Sequence, residues 1–251
     1  MTISFLQSKQ LLDAGFVTHG FTRRTGGVSD GPYASLNLSF DIGDIDENVT
    51  ANLRRLQEAV GVDLPLARVR QVHGNKVIAG QEAILSAWDD RPVPEADALV
   101  SEAGGPVKLI QVADCVPVLL ACPDTRVTAA VHAGWRGAVS GVVTSAVRRM
   151  TDLGADPSRM IAVLGPSIDF PCYEVGEDVA KRLVESADPK PKSPGQYLLD
   201  LRNAVEVSLV IAGVRSDHIE RVGGCTHCHP EEFFSYRATG GTCGRMGAFI
   251  A

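Results

Sequence analysis

The stretch VTAAVHAGWRGAVSGVVTSAVRRMTDL, residues 127–153, combines the signals of a strand, a tight turn and a helix in one run. Residues 127–132 are apolar and partly β-branched, which is typical of a buried strand. The glycines of GWRG, residues 134–137, permit a sharp strand-to-helix turn. Apolar residues then recur over residues 138–153 at the spacing of one helix face, and Gly154 predicts the helix end. The stretch therefore predicts a core strand that leads directly into an amphipathic helix.

Similar signals recur along the chain without an internal repeat. Asp46 is predicted to cap a helix that runs to Val60 and ends before Gly61, and a third helix is predicted over residues 200–212. A segment with three prolines, residues 187–196, is predicted to be a surface loop. Because strands and helices interleave without strict βαβ alternation, we predict an α+β fold: a single layered domain over residues 1–251, with mixed β-sheets flanked by helices. Three further apolar runs are predicted as strands: residues 107–112, 116–121 and 160–165.

Composition and charge exclude several classes of protein. The chain is 45% hydrophobic and 22% charged, as in ordinary globular proteins. Its 30 acidic residues outnumber 24 basic ones, and the basic residues are scattered, so we expect no nucleic-acid partner. The N-terminus lacks the pattern of a signal peptide, and no apolar run approaches the length of a membrane span. We expect a cytoplasmic protein, a monomer or weak homo-oligomer, that acts on a small molecule.

Three short polar sequences follow apolar strands, and each carries a residue able to bind a metal. They deliver His73 in RVRQVHGN, Cys115 in IQVADCVPV and His132 in AAVHAGWRGA. Two imidazoles and one thiolate form a ligand set that suits catalytic zinc, which takes three protein ligands and leaves a fourth position open. The same residues also fit a cysteine hydrolase, in which His132 activates Cys115 and either Asp114 or His73 orients the base. Each could also be an ordinary core residue.

Two glycine-flanked basic segments are candidates for anion binding. Arg136 lies in GWRG, where backbone amides at a helix start and a guanidinium would favour phosphate, although a packed Trp135 and a surface arginine explain the same residues. Arg24 lies in TRRTGG, a pattern that also occurs in simple turns. Sequence alone leaves both alternatives open.

Residues 225–229, CTHCH, match the pattern that attaches a c-type haem. Covalent haem attachment normally follows export, so the expected cytoplasmic location disfavours this interpretation. Cys225, Cys228 and either His227 or His229 also offer ligands of the zinc type.

The segments together resemble a known family. TRRTGGVS, SLNL, QVHG, ADCVPVLL, VHAGWRG, GPSIDFPCYEVG and FFSYR followed by GRMGAFI occur in the order seen in the laccase-domain, or polyphenol oxidase, family, whose members are also described as purine nucleoside phosphorylases. The resemblance spans about residues 21–250, and VHAGWRG and ADC are its most specific blocks.

The resemblance implies a zinc-dependent enzyme that cleaves adenosine, inosine, guanosine and methylthioadenosine with phosphate and also deaminates adenosine. It places the zinc at His73, Cys115 and His132. Copper is possible as a substitute, because copper(II) outranks zinc in affinity at such ligands. The alternatives are a Cys/His amidase that edits peptidoglycan precursors, a copper-dependent polyphenol oxidase, and a metal- or nucleoside-binding protein without turnover.

The remaining site predictions combine the resemblance with the chemistry of each residue. The predicted catalytic residues are Asp114, Cys115 and Arg136, with Asp114 either moving a proton or orienting an imidazole. The predicted phosphate ligands are Arg24 and Arg136. Asn37 and Gln71 match family positions near the site. Phe234, Tyr236 and Arg237 are predicted to form a pocket wall on which a purine stacks beside a cation.

Overall fold

The computed structural model describes residues 3–61, 63–85 and 93–251. In chain order, the strands are β1 (Phe5–Leu6), β2 (His19–Thr22), β3 (Leu66–Arg68), β4 (Val77–Ala79), β5 (Ala98–Ser101), β6 (Val107–Val112), β7 (Val116–Ala121), β8 (Thr128–Ala133), β9 (Ile161–Leu164), β10 (Glu174–Gly176), β11 (Lys190–Ser193), β12 (Gln196–Leu198), β13 (Ile219–Arg221) and β14 (Met246–Ile250). The α-helices are α1 (Lys9–Asp13), α2 (Asp46–Val60), α3 (Trp135–Ser140), α4 (Val142–Asp152), α5 (Glu177–Ala180), α6 (Val184–Ala187), α7 (Leu201–Ile211) and α8 (Tyr236–Thr239).

The strands form two large mixed sheets and one small antiparallel sheet. The 6-stranded sheet has the order β13-β9-β7-β8-β5-β4, with an antiparallel centre and parallel pairs at both edges. The 5-stranded sheet has the order β1-β2-β14-β6-β3, in which only the β3–β6 pair is parallel. The 3-stranded sheet has the order β10-β12-β11. The predicted mixed sheets are confirmed.

Alternate residues of β7 show how the layers stack. Val118 and Leu120 pack into a cluster with apolar residues of α4 and α7, whereas Leu119 lies in a second cluster with Ile110 of β6 and Phe21 of β2. The two large sheets therefore pack face to face, with α4 and α7 outside the 6-stranded sheet, and α2 covers the outer face of the 5-stranded sheet. This explains why β7 is apolar at every position: both of its faces are buried. The predicted α+β layered fold is confirmed.

The predicted strands agree with β6, β7, β8 and β9, shifted by at most one residue at either end. The predicted third helix is also confirmed as α7, and Asp200 caps it by accepting a 2.8 Å hydrogen bond from the Asn203 amide. Gly61 ends α2 in the left-handed region, at φ 70°, as predicted. Ile45, rather than Asp46, is the N-cap of α2, and Asp46 lies in the first turn, where a carboxylate favours the helix dipole. None of the helices in the described ranges is long and apolar enough to cross a membrane.

Two predicted elements are wrong in detail. The single helix over residues 138–153 is two helices, α3 and α4, because Gly141 adopts φ 80° between them. The periodic pattern hid the break, since α4 alone supplies the buried apolar face. The predicted loop over residues 187–196 contains strand β11 and the turn that joins it to β12 in a hairpin. Pro191 is tolerated there because β11 is an edge strand, where one side of the backbone needs no hydrogen-bond partner.

Candidate metal and substrate site

His73, Cys115 and His132 come together from three different elements. Cys115 ends the short connection between β6 and β7, which passes from one large sheet to the other; His132 lies on β8, opposite Pro117 in the strand register; and His73 lies in the loop between β3 and β4. Their ligand atoms all lie within 4.8 Å of one another. The His73 Nε2 atom is 3.9 Å from the Cys115 Sγ atom, and the two imidazole rings are 4.8 Å apart, edge to face.

Asp97, the residue before β5, fixes the geometry of both histidines. Its carboxylate is completely buried. One oxygen accepts hydrogen bonds from His132 Nδ1 at 2.8 Å and from the His73 backbone amide at 2.9 Å, and the other accepts from the Gly74 amide at 2.7 Å. Because Nδ1 of His132 donates to Asp97, its Nε2 is left to face the cluster as a ligand atom. Sequence reasoning missed Asp97, although a single acid beside the apolar strand sequence ALV was a usable signal.

The charges of the cluster favour a thiolate. Burial alone would raise the pKa of Cys115, but the charge of His132 and hydrogen bonds from both histidines lower it to about 6. Burial opposes the charged form of His132, yet the Cys115 thiolate and the Asp97 carboxylate raise the pKa of His132 to about 9. Burial also disfavours ionised Asp97, but its bonds to His132, Gly74 and His73 lower the pKa of this carboxyl. The thiolate is the form that binds metals and attacks electrophiles.

Gly134 leaves the space that the cluster needs. A Cβ atom on this residue would lie 2.9 Å from Cδ2 of His73, closer than real Cβ atoms approach, and 3.0 Å from Sγ of Cys115, which is also tighter than most real contacts. The backbone conformation of Gly134 is ordinary, at φ −76°, so close approach rather than conformational freedom requires glycine here. The first glycine of the GWRG turn therefore makes room for the side chains of His73 and Cys115.

The cluster opens into a cavity of about 1010 Å³. Such a volume is ample for a small organic ligand together with an inorganic anion. The wall combines cationic and aromatic side chains with the ligand atoms. The lining includes the arginines Arg68, Arg70, Arg136, Arg237 and Arg245 and the aromatic residues Phe40, Trp135, Tyr173 and Tyr236.

Most of the predicted site residues line this cavity. Besides the three ligands, these are Asp114, Arg136, Gln71, Tyr236 and Arg237. The Arg136 guanidinium stacks 4.3 Å from the centre of the Trp135 ring, and both residues line the cavity. Arg136 is therefore packed against Trp135 and at the same time placed where an anion could bind. The side-chain amide of Gln71 makes two 2.7 Å hydrogen bonds with the backbone of Gln111, donating one and accepting the other. These bonds hold Gln71 in the cavity wall.

Asp114 holds two other segments beside Cys115. It adopts φ 85°, and its carboxylate oxygens accept hydrogen bonds from the Thr226 hydroxyl at 2.6 Å and from the Arg237 backbone amide at 2.7 Å. Asp97, not Asp114, therefore orients the imidazole in this structure. The Arg237 side chain donates to the Glu174 carbonyl at 2.7 Å and lies over the Tyr173 ring.

Three predicted residues lie outside the lining of the cavity. The Arg24 guanidinium donates to the carbonyls of Ala34 and Pro230, at 2.9 and 2.6 Å, and stacks on Phe234, which is fully buried rather than part of the wall. Asn37 is also fully buried, and its Oδ1 accepts a 2.9 Å hydrogen bond from the Arg245 amide. We therefore revise Arg24 and Asn37 from substrate ligands to supports behind the wall. Sequence reasoning missed Tyr173 and Arg245, which do line it.

Comparison with known proteins gives one consistent result. A family model described as multi-copper polyphenol oxidoreductase laccase matches residues 18–251. A protein of Streptomyces coelicolor named purine nucleoside phosphorylase is 42% identical over 235 residues, 92% of this chain and 93% of the relative. One of Deinococcus radiodurans with the same name is 41% identical over 237 residues, 93% of this chain and 88% of the relative. The crystal structure of YlmD from Geobacillus stearothermophilus superposes with a TM-score of 0.87 at 34% identity, covering 93% of this chain and 90% of that one.

Proposed function

This chain belongs to the family described as multi-copper polyphenol oxidoreductase laccase, and on that premise we propose that it is a purine nucleoside phosphorylase, as several of its relatives are named. The observation that carries the proposal is the composition of the cavity. Arginines suited to phosphate, aromatic rings suited to a purine and a thiolate–imidazole cluster line one space of about 1010 Å³.

Phosphorolysis sets two requirements. A phosphate oxygen forms a bond to C1′ of the ribose while the C1′–N9 bond breaks and its electron pair leaves with the purine. The site must therefore hold a dianion near C1′ and supply a hydrogen-bond donor to the departing base. We propose Arg136, aided by Arg245, for the phosphate, since both guanidinium groups line the cavity beside aromatic rings.

Tyr173 and Tyr236 are the proposed contacts for the purine. Tyr236 is 52% exposed, and its ring offers a flat apolar face. Burial raises the pKa of Tyr173 to about 12, so its phenol stays protonated at neutral pH and can donate a hydrogen bond to the base. Arg237 lies over the Tyr173 ring and adds positive charge where the leaving purine becomes negative.

Zinc is the metal proposed for His73, Cys115 and His132. Two imidazole nitrogens and one thiolate within 4.8 Å suit it, and Asp97 provides the carboxylate that commonly orients a zinc-binding histidine. When bound, zinc would act at this end of the cavity as a Lewis acid. Three protein ligands leave a position for water or substrate, which supports extending the proposal to the deamination of adenosine to inosine. Among the described histidines only His73 and His132 share a candidate site, which favours one ion here over a multicopper centre.

The test is a product profile. Metal-loaded protein is incubated with adenosine, inosine, guanosine or methylthioadenosine, with and without phosphate. We expect release of the free base and the sugar 1-phosphate only with phosphate, and inosine from adenosine in both conditions. Cys115→Ala should lose the metal and turnover, whereas Cys122→Ala, which removes a buried thiol in the core, should keep both. No base release from any of the four nucleosides, or an active metal-free Cys115→Ala protein, would refute the proposal.

One observation favours a second candidate. In a cysteine hydrolase, Cys115, His132 and Asp97 would serve as nucleophile, base and orienting acid, since Asp97 holds His132 and the imidazolium lowers the pKa of the thiol to about 6 despite burial. An amidase would form an acyl adduct on Cys115, detectable by mass spectrometry after incubation with amide substrates. A nucleoside-binding protein without turnover would instead bind the same nucleosides and release no product.

A further inference from the structure

A second cluster of side chains able to bind a metal shares no residue with the first. Cys172 precedes β10, and His227 and Cys228 lie between β13 and α8. The sulfur atoms of Cys172 and Cys228 are 3.3 Å apart, and the ligand atoms of Cys172, His227 and Cys228 all lie within 4.8 Å of one another. Cys225 lies beside this group: its Sγ accepts a 3.3 Å hydrogen bond from the Asp169 amide, and its side chain interacts with Cys172.

We propose that Cys172, His227 and Cys228 bind a structural zinc ion, with Cys225 as the fourth ligand. Thiolates and an imidazole are the donor set of structural zinc, and the spacing Cys225-x-x-Cys228 is typical of such sites. All six cysteines of the chain are free, so the sulfur atoms of the cluster are available as ligands. Cys172 and Cys228 share a hydrogen bond between their sulfur atoms in this structure, so zinc binding would replace a proton between them with the ion.

The structure also indicates which of the two nearby histidines would bind the ion. Sequence allowed either His227 or His229 as the partner of the two cysteines. The His229 Nδ1 atom instead faces the Glu231 carboxylate at 3.3 Å, whereas the ring of His227 reaches the two thiols. A neighbouring group of His229, Glu231 and Glu232 is less suited to zinc, because Glu232 already pairs with Arg23 at 2.8 Å. The haem-like CTHCH sequence is thus better explained as part of a zinc site that Cys172 completes.

The ion would link two segments that have little regular structure. One runs from Ser167 to Tyr173, and the other contains Cys225 to Cys228. Between them lie one backbone hydrogen bond, from the Thr226 amide to the Ser167 carbonyl at 3.0 Å, and the contacts of the thiols. Both segments contact the cavity described above. Tyr173 of the first segment lines it, and Thr226 of the second donates a hydrogen bond to Asp114, which also lines it. A bound ion would fix their separation, which we expect to stabilise the fold on this side of the cavity.

Zinc content tests the proposal directly. The full chain is purified with a reducing agent, loaded with zinc, freed of excess metal and analysed for metal per chain. We expect two equivalents in the wild type and in Cys122→Ala. We expect one in Cys115→Ala, one in the double variant Cys172→Ser/Cys228→Ser, and none when all three changes are combined. Cys115→Ala removes the first site, so the comparison of this variant with the triple variant does not depend on the proposed function, which affects only the counts in the proteins that keep Cys115.

A cobalt titration and a thermal melt check the ligands and the fold. Co²⁺ added to Cys115→Ala should give a thiolate-to-cobalt absorption band that saturates at one equivalent, and zinc should raise the Tm of that variant. Neither change should occur when Cys172 and Cys228 are also replaced. Three results would overturn the proposal: no zinc in Cys115→Ala, two equivalents in folded Cys172→Ser/Cys228→Ser, or a Cys172–Cys228 disulfide in place of zinc in protein prepared under reduction.

Discussion

Replacing Asp97 by asparagine should separate the role of its charge from that of its shape. The two side chains have nearly the same volume, so the change leaves no cavity. The carboxylate, however, accepts four hydrogen bonds, from His132 Nδ1 and from the amides of Val72, His73 and Gly74. An asparagine has one acceptor oxygen, and its NH₂ group must then face donors on the other side.

Either orientation of the asparagine has a cost. If its oxygen faces His132 and the His73 amide, the Gly74 amide loses the acceptor that lay 2.7 Å away, and the longer Val72 bond is lost too. A buried donor left without a partner costs about 1–3 kcal/mol, so we expect the metal-free protein to lose about 2–4 kcal/mol of unfolding free energy. Loss of a carboxylate behind a metal-binding histidine typically lowers metal affinity about 10–100-fold, and we expect an effect in that range.

Two measurements check this prediction. Urea titration of the metal-free protein gives the unfolding free energy, and competition with a chelator gives the zinc affinity. Asp124→Asn is the matched control, because Asp124 is exposed and pairs with Arg159 on the surface; its urea midpoint and zinc affinity should stay close to those of the wild type. If Asp97→Asn has the urea midpoint and the zinc affinity of the wild type, the reasoning about this carboxylate is wrong.

Three further predictions address the same cavity. Gly134→Ala should abolish metal binding and cost about 1–3 kcal/mol of stability, because the new Cβ would overlap His73 and Cys115; metal analysis showing a full equivalent would contradict it. In metal-free protein, iodoacetamide should alkylate Cys115 faster as pH rises through about 6, since the charge of His132 lowers the pKa of the thiol despite burial; peptide mass spectrometry that finds the rise only near pH 9 would exclude this. Tyr236→Ala should raise KM for the nucleoside about fivefold through a loss of about 1 kcal/mol of stacking, with KM for phosphate nearly unchanged; an unaltered nucleoside KM would remove Tyr236 from the base contact.

The sequence predicted those parts of the fold that depend on local patterns. Strands such as β7 are apolar at every position because sheets and helices cover both faces, so their existence was readable without knowing their partners. The break at Gly141 was not readable, because a glycine is compatible with a continuing helix and only the packing of α4 makes the left-handed turn preferable. The hairpin of β11 and β12 was also missed, because the prolines and lysines of β11 suit a solvent-facing edge strand as well as a loop.

The proposed metal cluster could be predicted because each of its members lies in or soon after an apolar strand sequence, but the residues that support them could not. Asp97 is distant in sequence from His132 and contacts it only because β5 pairs with β8. Arg24 and Asn37 lie in segments that resemble binding loops, yet their polar groups satisfy backbone atoms of the fold. Sequence shows which side chains have suitable chemistry. Whether their polar atoms face a cavity or another part of the chain depends on tertiary contacts.

Two residues of the site adopt backbone conformations that side chains disfavour, and both are held by a buried carboxylate. His73 has φ 59° and Asp114 has φ 85°. Such residues cost about 1–3 kcal/mol each and persist only where the surroundings fix them. Asp97 fixes the first by accepting the amides of His73 and Gly74, and Asp114 fixes the second through its own side chain, which accepts from Thr226 and Arg237. Glycine at either position would relieve the backbone strain. At position 73, however, it would remove the imidazole of the cluster, and at position 114 it would remove the carboxylate that holds Thr226 and Arg237. The strained backbone at these two residues therefore lowers local stability, while the hydrogen bonds to the two carboxylates keep the side chains of the cluster in a fixed geometry.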